Sequence, residues 1–158
     1  MIKTGIFVDV QNIYYTTKEQ FAKPFNYRQL WKDLSYNHDI VCANAYAIAR
    51  QDDQQHKFQK ALKHIGFNVK LKPFIQRSDG SAKGDWDVGI TIDMMEAAAE
   101  LEHIILLSGD GDFELLMRHL KQKYAITTQV ISVEALTANN LINCVDVFTP
   151  IHSNMLIN

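Results

Sequence analysis

Two periods of apolar and polar residues succeed one another along this chain, and the changes of period mark its elements. "KTGIFVDV" is an apolar run over residues 3–10, and its length and β-branched content predict a buried strand with Asp9 at its end. Helices are predicted over 12–20 and 27–36, separated by the "AKPFN" break. "IVCANAYAIA" (40–49) is a second apolar run, with small residues suited to tight packing. From Asp52, "DDQQHKFQKALKHIG" has an acidic start, Phe58, Ala61, Leu62 and Ile65 at helical spacing, and a stop at Gly66. "FNVKLKPFIQ" (67–76) alternates Phe67, Val69 and Leu71 with Asn68, Lys70 and Lys72, as a half-exposed strand does. Pro73 places that strand at an edge or a bend. "RSDGSAKGD" (77–85) reads as a polar loop, followed by a helix over 86–101 despite Gly89. A strand "HIILLS", a helix "DFELLMRHLKQK", a strand "AITTQVIS", a helix "EALTANNLINCV" and a short strand "DVFTPI" complete the chain.

Strands thus alternate with helices throughout. That order predicts an α/β fold, a three-layer α/β/α sandwich around a central, mainly parallel sheet. Ligands of such sheets bind at the carboxyl ends of the strands, at the point where the strand order reverses. The 158 residues suit a single domain over 1–158, with no internal repeat or low-complexity tract.

Composition narrows the class. Hydrophobic residues are 47% and charged residues 22% of the chain, ordinary values for a soluble globular protein. No apolar stretch approaches the ~18 residues of a membrane span, and the start has no secretory pattern. Cys42 and Cys144 lie in apolar contexts and read as buried free thiols. A cytoplasmic setting with no membrane partner is expected. The net charge of -2 hides an asymmetry: residues 50–84 hold eight basic and three acidic side chains. A solvated surface explains such a run, and so does a face for phosphates.

The candidate chemistry is carboxylate. Asp9 ends the first strand, and Asp110 and Asp112 of "SGDGDF" follow the "HIILL" strand. If both strands are central, the three lie at one edge of the sheet. Asp85 and Asp87 begin a helix that can face the same edge. Asp93 falls on a different face of that helix from Asp87 and shares an apolar stripe with Trp86, Ile90 and Ala97, so it needs a partner. Each acid taken alone fits a cap: Asp112 for the helix from Phe113, Asp110 for the "DGD" turn, Asp9 for the helix from Asn12. Capping gives no reason to gather like charges, whereas a hard divalent cation does. Asn12, one helical turn past Asp9, could position a phosphate or water or merely cap. Ser108 could hydrogen-bond a neighbouring carboxylate, and Lys83 could reach a phosphate from its loop. No zinc spacing, "GxxxxGK[ST]" or "GxGxxG" is present. Haloacid-dehalogenase chemistry wants a second Asp where Gln11 stands, and a Toprim site wants a Glu after its first strand.

"GIFVDVQN", "KGDWDVGITID" and "LLSGDGDF", in that order and spacing, resemble the NYN domain family, in particular its LabA-like bacterial branch within the PIN-like nuclease group. The resemblance implies a PIN-like, Rossmann-like topology and a metal-dependent ribonuclease site. Carried across, Asp9, Asp87, Asp110 and Asp112 would be catalytic and would bind Mg²⁺ or Mn²⁺. Asn12, Lys83 and Ser108 would contact substrate, with Asp85 and Asp93 in support. "KGDWD" has one residue more than the family's usual "KGVD", so Asp85 and Asp87 compete for the metal-facing place; the spacing to Asp93 favours Asp87. The expected function is a metal-dependent endoribonuclease acting on RNA. The alternative is a non-catalytic RNA-binding or regulatory module that keeps the acidic site. A homodimer or a protein partner is compatible with either.

Overall fold

The computed structural model describes residues 1–49, 52–73, 75–76, 82–83 and 85–158. Its elements run β1 (Ile2–Asp9), α1 (Val10–Phe21), α2 (Tyr27–Leu34), β2 (His38–Ala49), α3 (Asp53–Ile65), β3 (Asn68–Pro73), β4 (Ile75–Gln76) and β5 (Ala82–Lys83). They continue with α4 (Asp87–Ala97), β6 (His103–Leu107), α5 (Glu114–Tyr124), β7 (Thr127–Ser132), α6 (Asn139–Cys144) and β8 (Val147–Pro150).

Six strands form one sheet in the order β3-β2-β1-β6-β7-β8, with every neighbouring pair parallel. Counted within the sheet the order is 3-2-1-4-5-6, the doubly wound arrangement, and it reverses between β1 and β6. The central strands read as unbroken apolar runs because both of their faces are covered. On β1, Ile6 and Val8 enter one core and Phe7 the other; on β6, Ile105 and Leu107 oppose Ile104 and Leu106. Ile13 of α1, Leu30 of α2 and Leu62 of α3 close the first core. Ile90 and Met94 of α4, Met117 and Leu120 of α5 and Leu141 of α6 close the second. The three layers expected from the alternation of elements are therefore present. Pro73 ends β3, an edge strand, where a missing N–H costs no ladder bond. Cys42 and Cys144 are free thiols, the second buried and the first half-buried. No helix among the described residues is long and apolar enough to cross a membrane.

The structure departs from the expected elements in three places. The strand expected over 67–76 divides: β3 stops at Pro73, and Ile75–Gln76 pairs antiparallel with Ala82–Lys83. That ladder takes in the end of the segment expected to be loop, of which residues 77–81 and 84 lie outside those described. The helix expected from "EALTANNLINCV" breaks into a 3-10 turn at Glu134–Leu136 and the short α6. The break has a cause: Thr137 bonds Ser132 through its hydroxyl, and the Ala138 N–H donates to Gly109 O at 3.1 Å. Gly89 in α4 is explained too. The Trp86 ring folds over it, and a Cβ there would meet ring carbon at 2.6 Å.

Candidate metal centre

β1 and β6 are neighbours, and Val8 pairs with Leu107. Asp9 and Ser108 are therefore the next residues out on adjoining strands. The Ser108 hydroxyl, fully buried, donates to Asp9 Oδ2 at 3.2 Å and accepts the Asp110 N–H at 3.2 Å. The other oxygen of Asp9 accepts the Asn12 N–H at 3.4 Å and so caps α1. The Asn12 side-chain carbonyl in turn accepts the Gly109 N–H at 2.9 Å, tying the loop after β6 to α1. These bonds fix the two strand ends against each other at the reversal point of the sheet.

Asp110 caps the 3-10 turn Gly111–Phe113 by accepting the Asp112 N–H at 2.9 Å. Asp110 thus stabilises the "DGD" turn as expected, whereas α5 has no side-chain cap and the cap expected of Asp112 is not formed. The 3-10 turn precedes α5, so Asp112 falls inside that turn, is exposed, and is not at the position that caps the helix. Asp87 opens α4, and its N–H donates to Asp85 Oδ1 at 3.1 Å. Oxygens of Asp87, Asp110 and Asp112 all lie within 4.8 Å of one another. Asp9 stands outside that tight set but within electrostatic reach of it.

The charges strain this arrangement. Burial, a hydrogen bond with the Asp110 carboxylate, and the charges of Asp110, Asp85 and Asp9 push Asp87 from 3.8 up to about 7. Burial raises Asp9 to about 6, against the lowering effect of the Asn12 N–H and the Ser108 hydroxyl. No ion pair reaches Asp9, Asp87, Asp110 or Asp112 among the described residues. A hard divalent cation fits this donor set: three close carboxylate oxygens with a surplus of negative charge.

The remaining expected residues separate. Asp85 is exposed and outside the set; its carboxylate caps Asp87 and its charge acts on both Asp87 and Asp9. Asp93 turns away and finds its partners in the Lys70 Nζ and the Tyr46 hydroxyl, each at 2.7 Å from Oδ2. Lys83 lies on β5, and its side chain is outside the described residues. Three supports were not foreseen. Lys72 donates to Asp85 O at 3.0 Å and sits 4.6 Å above the Trp86 ring centre, holding the start of α4. The Trp86 indole N–H donates to Ala47 O at 2.9 Å. Asn140 donates to Gly111 O at 3.1 Å and to Glu114 Oε1 at 3.0 Å, bracing the "DGD" turn from α6. The glycines of that turn are required by close approach. A Cβ on Gly109 would sit 3.0 Å from Leu136 O, and one on Gly111 would sit 2.8 Å from Ala138 Cβ.

An all-parallel, doubly wound sheet with a carboxylate cluster at its reversal point defines an α/β protein of the Rossmann-like class with an acidic centre. Within that class, the chain belongs to the NYN domain family, whose model matches residues 3–153. It is 30% identical over 152 residues to "Low amplitude and bright protein LabA" of Synechococcus elongatus, covering 91% of this chain and 81% of that one. The crystal structure of a Vibrio parahaemolyticus protein of unknown function is 47% identical, with a TM-score of 0.93 over 99% of this chain and 96% of that one.

Proposed function

We propose that this protein is a metal-dependent endoribonuclease. The observation that carries the reading is the close set of Asp87, Asp110 and Asp112 at the sheet's reversal point, with Asp9 beside it. Those four carboxylates would hold Mg²⁺ or Mn²⁺. Bound there, the cation would supply an activated water and charge neutralisation at the phosphate and leaving oxygen. The chain's own groups then have distinct tasks. Ser108 and Asn12 are positioning residues that hold Asp9 and the loop after β6. Asp85 holds the first turn of α4, and so the bearing of Asp87. The exposed lysines of α3, Lys57, Lys60 and Lys63, with Lys83 on β5, offer positive charge for the RNA backbone. Hydrolysis with the water supplied in this way would leave 5′-phosphate and 3′-hydroxyl ends. Membership of the NYN domain family supports the same substrate class.

The test is cleavage of an end-labelled single-stranded RNA with Mn²⁺. Even residues behind metal ligands cost about 10–100-fold when removed. Asp110→Asn is expected to cost at least about a hundredfold. Equal activity in both proteins would sink the reading. RNA binding without cleavage, unchanged in Asp9→Asn, would instead support the non-catalytic RNA-binding or regulatory module.

A further inference from the structure

A cleft of about 270 Å³ opens between α1, the end of β2 and the first turns of α3. We propose that it seats one base of the RNA strand, next to the bond cut at the acidic centre; the inference rests on the ribonuclease reading and adds to it a site for substrate recognition.

Position is the first argument. Val10 and Gln11 of the cleft directly follow Asp9 in the chain. Asp9 pairs in register with Tyr46, so Ala47 and Ile48 of the cleft lie one and two residues further toward the same carboxyl edge. The Ser108–Asp110 loop adjoins Asp9 from β6, and Trp86, next to Asp87, donates to the carbonyl of the cleft residue Ala47 at the end of β2. Adjacent strands are ~4.8 Å apart, so the two sites are neighbours along that edge. A nucleic-acid strand with a phosphate at the carboxylates would carry an adjoining base over the end of β2.

Chemistry is the second argument. The floor is apolar: Val10, Ala47 and Ile48 are buried and Phe58 is half-buried. Around it stand three carboxamides, Gln11, Gln54 and Gln55, each able to donate and to accept. Tyr14, about half exposed, presents its ring at the mouth, edge-on to Tyr15 and with Lys18 Nζ 5.6 Å from its centre. None of the described lining residues is charged. A phosphate or a charged metabolite would find no counter-charge in the floor, and a peptide would need partners for its backbone groups. A nucleobase has flat apolar faces and an edge of neutral donors and acceptors, which is what the floor, the tyrosine and the glutamines complement. The site takes an unpaired base, so the proposal specifies single-stranded RNA; a base held in a duplex could not turn into the cleft.

The experiment uses the full chain and labelled RNA octamers of one base type each, a duplex, and octamers with one abasic position. Binding is read by fluorescence anisotropy in Ca²⁺, and cleavage in Mn²⁺. The variants are Tyr14→Ala and the pair Gln54→Ala with Gln55→Ala, whose positions at the mouth and rim leave the cores intact. Loss of one base-stacking contact is expected to weaken binding and raise KM about tenfold, with kcat nearly unchanged. The variants are also expected to lose the differences among base types and the sensitivity to the abasic position. If the wild type binds in this cleft-dependent way but never cleaves, the cleft stands and the nuclease reading fails. Equal binding and an equal base profile in wild type and variants would overturn the proposal, whether or not cleavage occurs. Absence of single-strand binding by the wild type, or tighter binding of the duplex, would overturn it as well.

Discussion

Asn at position 87 should make the metal-free protein more stable, although it disables the centre. Asp87 is raised from 3.8 to about 7, first by burial and then by Asp110. A carboxyl with a raised folded pKa binds its proton more tightly in the fold than in the unfolded chain. Its penalty is therefore absent below about pH 4, grows as the pH rises from about 4 to 7, and is complete above about 7. At ~1.4 kcal/mol per pKa unit, the rise corresponds to about 4 kcal/mol. Asp87 is only half-buried, and solvent screening reduces this to about 1–2 kcal/mol. Asn carries no charge, and its amide can donate to Asp110 as the protonated Asp87 does. The start of α4 gives back part of the gain, because an anion there is favoured by ~0.3–1 kcal/mol at most exposed sites. The net expectation for Asp87→Asn in EDTA at pH 8 is a gain of about 1 kcal/mol, or ~2–4 °C in Tm for a chain of this size. At pH 4 the gain should vanish. Millimolar Mg²⁺ should reverse the order, since the wild type gains stability by mass action and the variant does not. Thermal and urea melts at both pH values, with and without Mg²⁺, measure all of this. A variant less stable than wild type at pH 8 in EDTA, or a difference independent of pH, would refute the reasoning.

Asp112→Ala removes an exposed carboxylate that caps nothing, so stability in EDTA should stay within ~0.5 kcal/mol of wild type. Mn²⁺ affinity, read by calorimetry, should fall about tenfold or more. Lys70→Ala leaves Asp93 with Tyr46 as its partner among the described residues. It should cost about 1 kcal/mol in urea melts, the pair being half-exposed, and leave Mn²⁺ affinity within about twofold.

The fold was legible because a doubly wound sheet writes itself plainly. Strands covered on both faces are continuous apolar runs, and "KTGIFVDV", "IVCANAYAIA" and "HIILL" are such runs. Their shared carboxyl edge follows from the rule for parallel sheets. What escaped was tertiary. Lys70 reads from sequence as a solvated lysine on an alternating strand, and only the packing of α4 beside β3 gives it Asp93 as a partner. Residues 134–145 carry a helical pattern, but Thr137 and Ala138 bond to Ser132 and Gly109 instead of continuing it. The cap expected of Asp112 failed because a 3-10 turn at Gly111–Phe113 moves the start of α5 to Glu114, and boundaries are the part of a pattern that a single sequence determines least.

The caps also decide how the acidic cluster should be understood. Asp9 accepts the Asn12 N–H, Asp85 the Asp87 N–H and Asp110 the Asp112 N–H, so a structural task accounts for each of those three. Among the described residues, no backbone N–H is accepted by the carboxylate of Asp87 or of Asp112. Yet these two complete the set within 4.8 Å, and Asp87 does so under a strain that raises its pKa to about 7. A fold needing only caps would gain by a neutral residue at 87 and lose nothing by one at 112. Asp87 and Asp112 are thus the residues whose presence a divalent cation explains and local structure does not. Variants of these two test the metal centre without removing a cap, whereas at Asp9 and Asp110 only the Asn variants keep the capping oxygen and Ala variants mix the loss of a ligand with the loss of a cap.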